Sequence, residues 1–209
     1  MTDNAPNTPK NLQPLSSLGP MPKSQPQEVD PKQDDPVRLD YLEARGLLER
    51  GEYAQAAMGF HNALRGYEER GDRIGVANCA DRLGDACLGR GEHAMALANY
   101  ERAHAICVQE EDSFSQLSLN KKIVQCLRQL GQHERALTVL DDMLEHYQLT
   151  RNPKGAVETL EIMAEVYLAQ GDRANAAEAY RAAAKVHASF KHAHMAEELR
   201  RKADLVEQG

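Results

Sequence analysis

The feature that most limits what this chain can fold into is a repeat of forty residues. Rows of forty laid out from Val37 put Gly51, Gly91, Gly131 and Gly171 in one column, with Ala56, Ala96, Ala136 and Ala176 five residues later. A large apolar or aromatic column follows (Phe60, Tyr100, Leu140, Tyr180), then a mostly small one (Ala63, Ala103, Met143, Ala183). Upstream of each glycine stand Ala44, Gly84, Val124 and Ala164, and then Leu47, Cys87, Leu127 and Tyr167. Agreement of four rows at six columns means an array of like units, in which each unit covers its apolar face with its neighbours.

Each row reads as two helices. The segment before the glycine, for example Ala77 to Arg90, is amphipathic, and the glycine sits where the helix stops, a place that favours a left-handed backbone. A second helix follows at once, for example His93 to Gln109, and so short a turn forces the pair antiparallel. The small columns mark where the two helices come closest, and the large column is expected to fill the layer between units. A single coiled coil is excluded, because glycine interrupts the pattern every forty residues and no seven-residue seam persists. Beyond the fourth unit, about His192 to Glu207, Met195, Leu199, Ala203 and Val206 form one stripe. Glu197/Arg201 and Glu198/Lys202 are expected to pair on the opposite side. The expected organisation is all-α: repeats over 35–191, then a capping helix and tail over 192–209.

Eight of the nine prolines lie within the first 36 residues, among Asn, Gln, Ser and Lys, and Pro14 and Pro20 interrupt the leucines Leu12, Leu15 and Leu18. Residues 1–34 are therefore read as a disordered Pro-rich segment that cannot bury enough apolar area to offset its ordering entropy. Order is expected from Asp35-Pro36, an N-cap followed by proline at the first helical position, a device repeated at Asn152-Pro153.

The formal net charge of −7 argues against a sequence-independent grip on nucleic acid and against an anionic membrane surface. Cys79, Cys87, Cys107 and Cys126 form no CxxC pair and no zinc-type spacing, and read as buried thiols of a reducing compartment. Without an apolar run of about 18 residues or a secretory leader, the expected location is the cytoplasm.

Leu83-Gly84, Cys87, Gly91, Ala96, Tyr100 and Ala103 fall at the spacing of the tetratricopeptide repeat, and residues 51–57 and 91–97 resemble that family's turn into its second helix. The resemblance spans residues 37–190. It departs from the family where a tryptophan is frequent (Asp40, Ala80, Asn120, Leu160) and where a proline often closes the second helix (Glu68, Val108, Gln148, Ala188). The forty-residue period, longer than the usual ~34, resembles the repeats of kinesin light chains and Pins-type polarity scaffolds, as does Gly71-Asp72 opening the second unit. The resemblance implies a right-handed solenoid of four antiparallel helix pairs plus a C-terminal capping helix. It also implies a non-enzymatic interaction module that holds a peptide or helical segment of another protein in a concave groove lined by the first helices.

Carried over by column, that groove takes Tyr41, Arg45 and Leu48 from unit one and Asn78, Asp81, Arg82 and Asp85 from unit two. Units three and four supply Lys121, Lys122, Gln125 and Arg128, and then Glu158, Glu161, Ile162 and Glu165. The implied groove has a basic centre (Arg45, Arg82, Lys121, Lys122, Arg128) and an acidic C-terminal end, which would favour a partner with its acidic side over unit three. The carboxylate clamp that grips chaperone C-termini is not reproduced, since the matching columns hold Tyr41, Arg45, Arg82, Ser118 and Lys122. Phosphate loops, GxSxG and HExxH are absent, and no cofactor is expected. His187, His192 and His194 cluster at a predicted helix break without an Asp, Glu or Cys to complete a ligand set, so no metal is expected. The alternative role is a structural or assembly subunit, weakly self-associating or docking through an end face of the solenoid.

Overall fold

The computed structural model describes residues 35–208; the reading of residues 1–34 as a disordered segment lies outside the described residues. Among the described residues there are nine helices and no strand. They are α1 (Pro36–Glu49), α2 (Tyr53–Glu69), α3 (Arg73–Gly89), α4 (His93–Gln109), α5 (Ser113–Gln129), α6 (His133–Leu149), α7 (Pro153–Gln170), α8 (Arg173–Ser189) and α9 (Ala193–Gln208). Each packs on the next, so α1/α2, α3/α4, α5/α6 and α7/α8 are the four hairpins and α9 lies against α8.

All eight turns close in the same way. In each turn a residue just past the helix donates its N–H to a carbonyl five residues back, as Glu52 does to Leu47, Asp112 to Cys107 and His192 to His187. The residue before it takes a left-handed backbone, which satisfies the orphan carbonyls of the last turn. Gly51, Gly91, Gly131 and Gly171 fill that place within each hairpin, with φ from 68° to 79°. Between hairpins only Gly71 does so; Glu111, Arg151 and Lys191 hold φ of 56°, 52° and 62° with a side chain attached. A β-carbon in that region costs roughly 1–2 kcal/mol, offset in part by the greater unfolded-state freedom of glycine. Arg151→Gly is therefore expected to raise unfolding free energy by about 1 kcal/mol in chemical denaturation.

The first helices α1, α3, α5 and α7 begin on side-chain caps. Asp35 accepts from the Val37 N–H at 3.0 Å, Asp72 from Gly75 at 2.9 Å, Asp112 from Ser115 at 3.0 Å and Asn152 from Gly155 at 3.0 Å. The second helices α2, α4 and α6 have no such bond and start directly from the preceding glycine turn.

Burial follows the columns. Ala56, Ala96, Ala136 and Ala176 are fully buried, as are Phe60, Tyr100 and Leu140, with Tyr180 nearly so. The large column, however, does not serve only the layer between units. A β-carbon on Gly84 would lie 2.4 Å from the Tyr100 ring, so this tyrosine packs flat on the first helix of its own hairpin. Gly66 and Gly89 likewise admit Val37 and Tyr53, whereas Gly46 has only the tip of Arg50 nearby and is not required by packing. The cap helix also differs from expectation: Lys202 reaches back 3.5 Å to Glu161 on α7, and Glu197 pairs with Arg200 at 3.5 Å. The four cysteines are buried free thiols, and burial pushes the Cys79 thiol up to about 12.

Candidate functional site

The first helices of successive hairpins share one face, and from α3 onward charges cross from each helix to the next. Lys122 on α5 places its ammonium 2.6 Å from Asp81 and 2.7 Å from Asp85, both on α3. The same ammonium lies 5.2 Å from the centre of the Tyr100 ring, whose hydroxyl donates to Asp85 at 2.9 Å. Arg82 closes the group with a 3.0 Å contact to Asp85. Two carboxylates and two cations thus neutralise one another at the junction of units two and three. Burial works against the Arg82 charge, but Asp81 and Asp85 outweigh it and raise its pKa. Burial first, then Asp85, pushes the Tyr100 phenol far above its ordinary range, so it stays a donor.

Further along, Arg128 on α5 reaches Glu165 on α7 at 2.6 Å, and Lys202 on α9 reaches Glu161 while lying 5.9 Å over the Tyr180 ring. In unit one, Arg45 lies 3.5 Å from Glu49 on its own helix, and Tyr41 packs edge-on against Phe60. Gln125 is exposed. Of the five cations expected to form a basic centre, Lys121 is the one without an ion pair among the described residues. The positive charge of the centre is largely taken up by neighbouring carboxylates.

From α3 onward each first helix leaves a cleft against the next one, and α7 leaves one against the cap helix α9. The α3/α5 cleft, about 220 Å³, is polar, with Asn78, Asp81, Arg82, Ser115 and Ser118 in its wall. The α5/α7 cleft, about 150 Å³, is bounded by Lys121, Glu158 and Ile162. The α7/α9 cleft is the largest, about 480 Å³, and its wall includes Val157, Glu161, Val186, Phe190 and Met195. His187 and His192 stand in the same wall with their Nδ1 atoms 3.3 Å apart. Among the described residues no set of three or more His, Cys, Asp or Glu groups is arranged to hold a metal ion.

Sequence reasoning placed Asn78, Lys121 and Glu161 in these walls but missed Val157, Phe190 and Met195, and also the contact of Lys202 with Glu161. Phe190 carried a usable signal: its column otherwise holds Arg70, Glu110 and Thr150, so an aromatic there is out of pattern.

Residues 38–107, covering units one and two, match the family model of the tetratricopeptide repeat. The described residues have the fold of a tetratricopeptide-repeat solenoid, an all-α helical repeat. Among solved structures, the kinesin light chain nearly identical TPR-like repeats of Podosopora anserina share the fold at a TM-score of 0.58 and 16% identity, over 83% of this chain and 97% of that one. BtubC (BKLC) from P. vanneervenii gives a TM-score of 0.54 at 17% identity, over 83% of both chains. The apo form of RapI gives a TM-score of 0.69 at 15% identity, over 82% of this chain and 49% of RapI, so this solenoid spans about half of that protein. A Rap protein solved in complex with Competence and Sporulation Factor is also similar, at a TM-score of 0.53 and 15% identity, over 81% of this chain and 54% of that one. No curated protein matches the chain in sequence. Tetratricopeptide repeats are generally non-enzymatic interaction scaffolds. No helix among the described residues is long and apolar enough to cross a membrane.

Proposed function

We propose that this solenoid is a protein-interaction module whose first helices α3, α5 and α7, with the cap helix α9, form a concave groove for a peptide or helical segment of a partner. The observation that carries the reading is the succession of clefts between those helices, one per junction, each able to receive a side chain of a segment laid across them. The likeness to a Rap protein solved with a bound factor is consistent with that use of the fold.

The test is selection of binders from a displayed random-peptide library, followed by hydrogen exchange on the complex. Protection is expected on α3, α5, α7 and α9. Protection confined to α2, α4, α6 and α8, or no selected binder at all, would refute the groove.

A second reading, weak self-association through the N-terminal end, is favoured by Leu39. Its counterparts Cys79, Leu119, Thr159 and Leu199 are buried against a preceding helix, while Leu39 is half exposed. Sedimentation that remains monomeric up to high micromolar concentration would remove it.

A further inference from the structure

The three clefts are built from the same columns yet differ in chemistry, and the difference specifies what the last one receives. Several columns change between the α3/α5 and α7/α9 junctions, one of them from the exposed Phe114 of the α3/α5 wall to His194. Glu110 is replaced by Phe190 in the turn, and Ser115 by Met195 on the first turn of the following helix. Both new side chains are about half exposed, at 54% and 50%, over the largest cleft of the face. With Val157 and Val186 behind them they make an apolar recess of about 480 Å³, open to solvent and without a covering residue among the described ones.

The charges around the recess are not balanced. Inside its wall Glu161 is engaged by Lys202, and Glu158 faces Lys154 at 3.9 Å. On one side, across Glu158, lies Lys121, which bounds the adjoining α5/α7 cleft without an ion pair. On the other, Lys191 sits in the α8–α9 turn between Phe190 and His192, also without an ion pair among the described residues. Lys154 thus stands in the wall of the recess, and two lysines without an ion pair among the described residues neighbour it, Lys121 in the adjoining cleft and Lys191 in the α8–α9 turn, on a chain whose formal net charge is −7.

We propose that the α7/α9 cleft is the anchor of the binding face and takes a bulky apolar side chain from a partner segment whose flanking residues are acidic. The proposal rests on the groove reading above and narrows it to one cleft and one class of partner. A buried apolar anchor supplies most of the affinity of such contacts, while the flanking charges set direction and encounter rate.

The test uses a fluorescein-labelled nine-residue peptide with a Leu-Phe pair at its centre and two acidic residues on either side, read by polarisation on the full chain. Two further probes replace the Leu-Phe pair by Ala-Ala, or the acids by lysines. The expected result is saturable binding of the first probe only. Phe190→Asp or Met195→Asp should weaken it at least about tenfold, as loss of an interface anchor does. Lys121→Glu combined with Lys191→Glu should weaken it several-fold and flatten its salt dependence. Because all four positions are exposed, thermal melts of these variants should match the parent. Equal binding of the lysine-flanked probe would overturn the charge assignment. If library-selected peptides protect the first helices yet bind Phe190→Asp as tightly as the parent, the groove stands and the anchor fails. Concentration-dependent self-association that Phe190→Asp abolishes would make a second copy the occupant and overturn the partner assigned here.

Discussion

Lys122→Glu is expected to lower unfolding free energy by on the order of 3 kcal/mol, whereas Lys121→Glu should change it by less than about 0.5 kcal/mol. The two lysines are adjacent in sequence, and their environments are opposite. Lys122 is three-quarters covered and holds Asp81 and Asp85 together, with Tyr100 beneath it and Arg82 at the edge of the group. Reversing its sign leaves three carboxylates around one arginine, at a place where water reaches only part of each group. The loss of a partner then costs more than the pair contributed. Lys122→Met should fall between, because it removes the cation without adding an anion. Lys121 is exposed and unpaired, so its charge has little to lose on folding. Urea denaturation followed by circular dichroism distinguishes the cases, and similar midpoints for the two glutamate variants would mean that the α3–α5 network contributes little. The distinction also bears on function. A binding defect in the Lys122 variant would report a loosened junction, while one in the Lys121 variant would report lost charge complementarity.

The network explains why the fold was legible in the sequence and the binding face only in part. Glycine stops act within about one turn of their own position and alanine contacts within one hairpin, as Ala44 against Gly59 shows, so a column read along the chain is also a contact in space. Their burial and backbone angles follow from that. The charge of the face depends on which side chains meet across forty residues, and a column does not state that. Lys121 and Lys122 look alike in the sequence; only the approach of α3 shows that one is neutralised. Some of this was nevertheless encoded. Tyr100 and Tyr180 of the large column are each followed, twenty-two residues on, by a lysine that lies over the ring, Lys122 and Lys202, whereas Leu140 is followed by Ile162. Aromatic with cation and aliphatic with aliphatic is a pairing rule between columns, visible only when two columns are compared rather than each read alone. Lys202 was instead expected to pair with Glu198 one turn away. The local i,i+4 rule is weaker than an acceptor and a tyrosine face offered by the preceding hairpin.

A similar pairing between columns governs how hairpins join, and it supports the other prediction of large effect. At the α2–α3 junction the Tyr67 ring lies on Gly75, and at α6–α7 the Tyr147 ring lies on Gly155, where a β-carbon would stand only 2.3 Å from the ring. The same two columns hold Cys107 and Ser115 at α4–α5, and His187 and Met195 at α8–α9. At the first three junctions a large ring is thus matched with no side chain, or a small thiol with a small hydroxyl, so the volumes of the two columns balance, whereas His187 and Met195 border the open α7/α9 cleft. Gly155→Ser alone should cost about 3 kcal/mol, because Tyr147 is buried and its ring cannot yield to the new atoms. Tyr147→Cys alone should cost a similar amount by leaving a void. The two together reproduce the α4–α5 pair and should cost less than either summed with the other, by at least about 1.5 kcal/mol. A double-mutant cycle in denaturant measures that coupling, and strict additivity would mean that ring and glycine are not matched. Since α7 forms one wall of both the α5/α7 and the α7/α9 clefts, the serine variant should also weaken binding at the face without altering any residue that lines it. Restoration of binding in the double variant would tie the spacing of the groove to the volume balance of the hairpin junctions.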